Sequence, residues 1–244
     1  MRRTSIGVVI ALLLVASTSA IAQRTASDET LGRLVTQRLM DEDMTRVSVS
    51  VASGIVTLRG TVPTLWVKHR AIEEASKVDD VISVFSELKV PRGESDERIA
   101  AQVGQRLQRY ILFTIFDDAN VEVDNGVVTL TGRVTLPYKA DAFADLAAHI
   151  SGVQEVRNEV RALPVSLFDD QLRYAVARRI YGDSLFSRYA TQANPPLHII
   201  VERGKVTLTG VVFSEVERRK AEAIARDTFS VMAVTNKLRI ERQE

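Results

Sequence analysis

The chain has 244 residues, is 45% hydrophobic and carries 32 basic against 31 acidic side chains, a net charge of +1. That balance excludes the global basic excess of a duplex nucleic-acid binder. The lack of any cysteine excludes disulfides, thiolate metal sites and a cysteine nucleophile.

Met1-Arg2-Arg3, an apolar run from Ile6 to Val15 and small residues ending in Ala20-Ile21-Ala22 follow the order of a secretory signal with an A-x-A cleavage site. The mature chain is therefore expected to start at Gln23, and loss of Arg2 and Arg3 turns +1 into 1 − 2 = −1. Without a cysteine after the apolar run, lipid attachment there is impossible.

From this point the sequence repeats. Gly54-Ile55-Val56-Thr57-Leu58-Arg59-Gly60-Thr61-Val62 recurs from Gly126 to Val134 and from Gly204 to Val212, an internal period of roughly 70 residues. Val56, Leu58, Gly60 and Val62 share one side of a period-2 strand and Thr57, Arg59 and Thr61 the other, so one face is buried and one wet. Ser53-Gly54, Asn125-Gly126 and Arg203-Gly204 each follow another alternating segment, which predicts three β-hairpins. Gly60, Gly132 and Gly210 fall on the apolar, helix-facing side, where a missing side chain marks a bend or a close approach.

Before the first hairpin, Leu31, Leu34, Val35 and Leu39 recur at helical spacing after the Ser27/Asp28 start signal. Val47, Val49 and Val51 alternate with serines as the first strand. Pro63-Thr64 opens a second helix with Val67, Ala71, Ala75 and Val78 inward. Val81 to Val90 reads as the third strand. The unit αββαβ restarts after the linker Pro91–Ser95, with Ile99, Val103 and Leu107 in the first-helix stripe. Its second helix, opened near Pro137, buries Phe143, Leu146, Ala147 and Ile150. After Leu163-Pro164-Val165-Ser166, Leu172, Val176 and Ile180 begin the third copy. There the stretch Ser187 to Pro196 predicts an extended loop, and Ser214 with Glu217 predicts a capping box. The expected segmentation is a signal peptide at 1–22 and domains at 23–92, 93–163 and 164–244. The fold class is α+β: three tandem αββαβ domains, each a three-stranded sheet packed against two helices.

The V-T-L-x-G-x-V strand, the Ala-rich helix and Gly152-Val153-Gln154-Glu155-Val156-Arg157-Asn158 together closely resemble the BON domain family of bacterial envelope proteins. Val231, Val234 and Asn236 repeat the last element; the first copy departs from it with Ser86 at the Asn position, and Asp80 and Ser230 stand where Gly152 does. The resemblance implies a periplasmic protein similar to the osmotically inducible ones, binding phospholipid surfaces and maintaining the envelope under osmotic or other stress. It carries no catalytic residues.

The residues alone point to no enzyme and no cofactor. His69, His149 and His198 occupy different positions of different copies, without recurring acidic partners. Asp118, Asn120, Glu122 and Asp124 look like a calcium loop, but Val123 stands where an EF-hand needs glycine, and they read as the wet face of an edge-like strand. Neither nucleic acid nor a small-molecule substrate is indicated as a partner. The non-random polar feature lies at the start of the second helices: Trp66, Lys68 and Arg70 around His69, Tyr138 with Lys139, and Arg218, Arg219 and Lys220 after Phe213 and Val216. Apolar groups beside cations suit the headgroups of an anionic phospholipid membrane. Trp66, Tyr138 and Val216 are also equivalent positions, which suits a core cap flanked by a solvated helix face. The alternative partner is another envelope protein, with the chain as a chaperone or scaffold using sheet edges and helix rims.

Overall fold

The computed structural model describes residues 27–192 and 194–241. The expected signal segment 1–22 and the start at Gln23 lie outside the described residues. The chain forms two compact units, one ending at Gly93 and one beginning at Glu94.

In the first unit, helix α1 (27–41) turns Leu31, Val35 and Leu39 into the core, each at most 5% exposed. Strands β1 (Val47–Ala52) and β2 (Ile55–Thr61) pair antiparallel, with Ala52 opposite Ile55 at the turn. Helix α2 (Leu65–Ser76) crosses back, capped by the Thr64 hydroxyl, and β3 (Ser83–Lys89) pairs parallel with β2. The sheet order is β1-β2-β3. Its buried face, Val56, Leu58 and Val62, packs with Ala71 and Ala75 of α2.

The second unit holds two more copies. One comprises α3 (Asp96–Gln108), β4 (Asp118–Asp124), β5 (Val127–Val134), α4 (Pro137–Ala148) and β6 (Glu155–Ala162), with sheet order β4-β5-β6. The other has α5 (Leu167–Tyr181), a 3-10 turn Ser184–Phe186, α6 (Ser187–Ala190), β7 (Leu197–Glu202), β8 (Lys205–Val212), α7 (Glu215–Arg226), β9 (Ala233–Asn236) and β10 (Arg239–Ile240). The chain is thus α+β, with three small domains. The extended loop expected from Ser187 to Pro196 is corrected in part: its first residues, Ser187–Ala190, form a short helix directly after the 3-10 turn, and Tyr189 on it is completely buried.

Both central residues of every hairpin turn have positive φ, as a type I′ turn demands: Ser53 and Gly54 at 52° and 75°, Asn125 and Gly126 at 52° and 78°, Arg203 and Gly204 at 52° and 72°. Three non-glycine residues in this region cost energy, and one device compensates each. A carboxylate at the start of the first helix accepts both turn N–H groups: Asp28 from Ser53 and Gly54 at 2.7 and 3.0 Å, Asp96 from Asn125 and Gly126 at 2.7 and 2.9 Å, and Asp169 from Arg203 and Gly204 at 2.7 and 2.8 Å. Helix and hairpin are thereby clamped by hydrogen bonds to the turn backbone, in addition to their packing.

The glycine inside each second strand has a reason different from packing beneath a helix. Gly60, Gly132 and Gly210 have φ of 135°, 143° and 98°. A Cβ on each would lie under 3.0 Å from a backbone carbonyl oxygen of the partner strand's entry, that of Arg46, Asp118 or Pro196. The expected close approach is therefore made by backbone.

The Asn of the third-strand motif ties strand to helix. Asn158 donates to the Ala140 carbonyl of α4 at 2.8 Å and accepts from Val160 N–H; Asn236 donates to the Arg218 carbonyl of α7 at 2.9 Å and accepts from Leu238 N–H. Ser86 keeps only the local half, from Leu88 N–H.

Within the second unit the two copies share a seam. The Ile115 carbonyl accepts from Ile199 N–H of β7 at 2.7 Å, and Phe116 meets Tyr174 edge to face at 5.0 Å. β7 is buried on both faces: Ile200 is buried along with Ile199 and Val201, so the strand carries an unbroken apolar run from Ile199 to Val201.

Candidate functional site

The candidate residues all sit where a hairpin hands over to the second helix. Gapless spacing makes 67, 139 and 217 equivalent positions on α2, α4 and α7, inward-facing in the first helical turn. The three copies fill them with an apolar, a cationic and an anionic residue.

Lys139 was expected at an exposed, headgroup-facing rim, and the structure corrects this. It is 3% exposed, and its ammonium donates to Asp117 and to the Thr135 hydroxyl, each at 2.7 Å. Asp117 is completely buried and also accepts from Thr135 and Thr114. Burial opposes its ionisation, but the hydrogen bonds from Lys139, Thr135 and Thr114 outweigh it and hold the carboxyl below its ordinary value. A cation so spent has nothing to offer a membrane.

Glu217 is equally buried, with reversed sign. It accepts from Arg188 at 2.5 Å, from the Tyr189 hydroxyl at 2.7 Å and from Phe213 N–H at 2.7 Å. Half of the expected capping box is present, Ser214 accepting from Glu217 N–H; the Glu side chain satisfies the residue before the cap instead. Tyr189 stacks on Phe213 with 5.7 Å between centroids, and the Arg188 guanidinium lies 4.7 Å from the Phe213 ring centre. Burial first, then Glu217, pushes the Tyr189 hydroxyl up to about 12, so it remains a donor at any physiological pH.

The remaining cations are partly neutralised. On α2, Arg70 pairs with Glu42 at 3.4 Å, Glu73 at 3.5 Å and the fully buried Glu74 at 2.9 Å. Trp66 and Arg70, four apart, share a helical face, while Lys68 is displaced from it. On α7, Arg218 and Arg219 share Glu215, whose carboxyl their hydrogen bonds pull down to about 2, and Lys220 meets Asp183 at 3.3 Å. Arg219 and Lys220 are still 78% and 48% exposed, beside Val216 at 67% and Phe213 at 39%. Tyr138, at 48%, keeps its expected exposure without its cation. Among the described residues no cluster of three or more metal-ligating side chains occurs, and no helix is long and apolar enough to cross a membrane.

A family model for the BON domain matches residues 27–92, 95–164 and 171–242, in register with these three copies. The chain belongs to the BON domain family. A curated relative, the outer membrane lipoprotein DolP of Haemophilus influenzae, is 35% identical over 118 residues; the match takes in 46% of this chain and 60% of the relative. The chain thus spans about three-fifths of that relative's length. Among solved structures, CdsD, a structural protein of the type III secretion system of Chlamydia trachomatis, is 17% identical, covering 86% of this chain and 91% of its own at a TM-score of 0.26. The periplasmic domain of PrgH from S. typhimurium is 10% identical, covering 80% and 100% at 0.23. At these TM-scores neither bears on the BON fold.

Proposed function

We propose that this three-domain BON protein is an exported, non-enzymatic envelope protein that rests on anionic phospholipid surfaces in the periplasm and supports the envelope under stress. The observation that carries the reading is the rim of α7, where exposed Val216 and Phe213 lie beside Arg219, Lys220 and the half-exposed Arg218. Apolar groups for the acyl boundary and cations for the headgroups then approach a bilayer together. Similarity to an outer membrane lipoprotein supports an envelope setting. The rim is modestly cationic, since Glu215 and Asp183 offset part of its charge, so the attraction is weak and additive with other contacts.

Co-sedimentation with vesicles tests this directly. Binding to anionic vesicles at low salt, absent with zwitterionic ones, is expected, and should fall as screening shortens the reach of the charges. With each interfacial cation contributing on the order of 1 kcal/mol, Arg218→Glu with Arg219→Glu should weaken it by well over tenfold. Indifference of the wild-type chain to anionic vesicles at low salt refutes the reading.

A further inference from the structure

The connection between the first helix and the first strand spans residues 42–46 in the first domain, 109–117 in the second and 182–196 in the third. The two longer connections send a side chain back over the start of the second helix. In the third domain Tyr189, on α6, covers Phe213 and reaches Glu217; in the second, Asp117 closes onto Thr135 and Lys139. The equivalent residues of the first domain are Pro63 and Val67, and the short connection sets Met44 beside them but lays no aromatic ring over them. A groove of about 620 Å³ remains, walled by Met44, Val47, Val62, Pro63, Trp66 and Val67.

We propose that this groove docks an aromatic side chain of a partner polypeptide, presented on a short helical turn with a basic residue beside it, as Tyr189 and Arg188 are presented inside the third domain. Val67 supplies no acceptor where Glu217 does, so the ring that fits carries no hydroxyl: a phenylalanine rather than a tyrosine. The basic neighbour follows from the rim. Glu42, Asp43 and Arg46 line it; Glu42 pairs with Arg70 at 3.4 Å, while Asp43 forms no ion pair among the described residues and is the acid left to meet a cation. With Val67 apolar, the cation that meets Glu217 in the third domain turns outward in the first, to Asp43. The third domain therefore carries its own plug, and the first domain takes the same plug from another molecule.

Trp66 lines the groove and is the single tryptophan of the chain, so its fluorescence reports on occupancy. The probe is a synthetic peptide copying Ser184–Gln192 with Tyr189→Phe, titrated into the full chain. A saturable blue shift is expected. Val67→Gln, checked for an unchanged melting temperature, should weaken binding at least tenfold, because it leaves an amide facing the ring. The surface variant Asp43→Lys, which disturbs no packing, should weaken it severalfold and abolish its salt dependence. No saturable shift, or a shift unaffected by both variants, overturns the proposal. A shift produced by anionic vesicles and cancelled by Val67→Gln would assign the groove to an acyl chain and likewise overturn it. Arg218→Glu with Arg219→Glu leaves the peptide titration unchanged, which separates this proposal from membrane docking by the α7 rim.

Discussion

The second and third BON domains bury a charge at the same helical position, and they do so with opposite signs. At 139 a lysine is answered by Asp117; at 217 a glutamate is answered by Arg188 and Tyr189. The first domain has Val67 there and needs no answer. The fold is indifferent to the residue at this position provided the connection from the first helix supplies its complement. Each buried charge is thus held by a chain segment that varies in length, while the αββαβ frame around it stays constant. Complementarity across a variable loop, rather than the identity of either partner, is what each domain preserves.

The sharpest way to break the comparison is to remove one partner of a pair. Lys139→Met leaves Asp117 buried without its cation and should destabilise the second domain by about 3–5 kcal/mol, while adding Asp117→Asn, which removes the stranded charge and keeps an acceptor for Thr114 and Thr135, should recover part of the loss. Differential scanning calorimetry of the single and double variants checks this. The same pair makes the domain acid-sensitive. The folded-state carboxyl of Asp117 lies below its unfolded value, so its stabilisation is complete above roughly pH 4 and is lost as pH falls through the folded pKa. Loss of protection of β4 and β5 amides on acidification, advanced to higher pH in Lys139→Met, is the expected signature in hydrogen exchange.

Next in size come the second-strand glycines, which are alike in all three domains and mark where the comparison ceases to differ. Gly132→Val adds a Cβ against the Asp118 carbonyl in a backbone region that valine avoids, and should cost roughly 2–4 kcal/mol. Asp169→Ala removes two charged hydrogen bonds to the third hairpin turn and should cost about 2–3 kcal/mol in thermal melts. The smallest effect is a gain. Ser86→Asn gives the first domain the strand-to-helix tie of Asn158 and Asn236 and should stabilise it by about 0.5–1.5 kcal/mol; no change would show that the tie depends on more than the Asn.

Much of this was legible in the sequence. The turn pairs, the stripes Leu31-Val35-Leu39, Ile99-Val103-Leu107 and Leu172-Val176-Ile180, and the V-x-x-V-x-N element all act within one element or between neighbours, where spacing determines geometry. Lys139 and Glu217 were misread because their partners lie in connections of different length, and no periodicity places Asp117 or Arg188 opposite them. The aspartate clamps were missed for a related reason: Asp28, Asp96 and Asp169 look like ordinary first-turn acids, and their turns lie 25 to 35 residues further on. A signal existed, since each copy places an acid in the same turn of its first helix ahead of a hairpin whose first central residue is not glycine.

The bond from the Ile115 carbonyl to Ile199 N–H has a consequence for self-association. A lateral strand with a bare row of N–H and C=O groups is a template for cross-β growth between molecules. Of the first strands of the three hairpins, each an edge of its sheet, β7 is the most apolar, with Leu197 and the run Ile199-Ile200-Val201, and it is the one a neighbouring domain covers. β1 offers Ser48 and Ser50, and β4 offers Asn120, Glu122 and Asp124, polar groups that a second strand would have to desolvate. The alternating acids that superficially suggested a calcium loop therefore act as gatekeepers. Severing the second domain from the third should leave a fragment, from about residue 165 onward, that aggregates through β7.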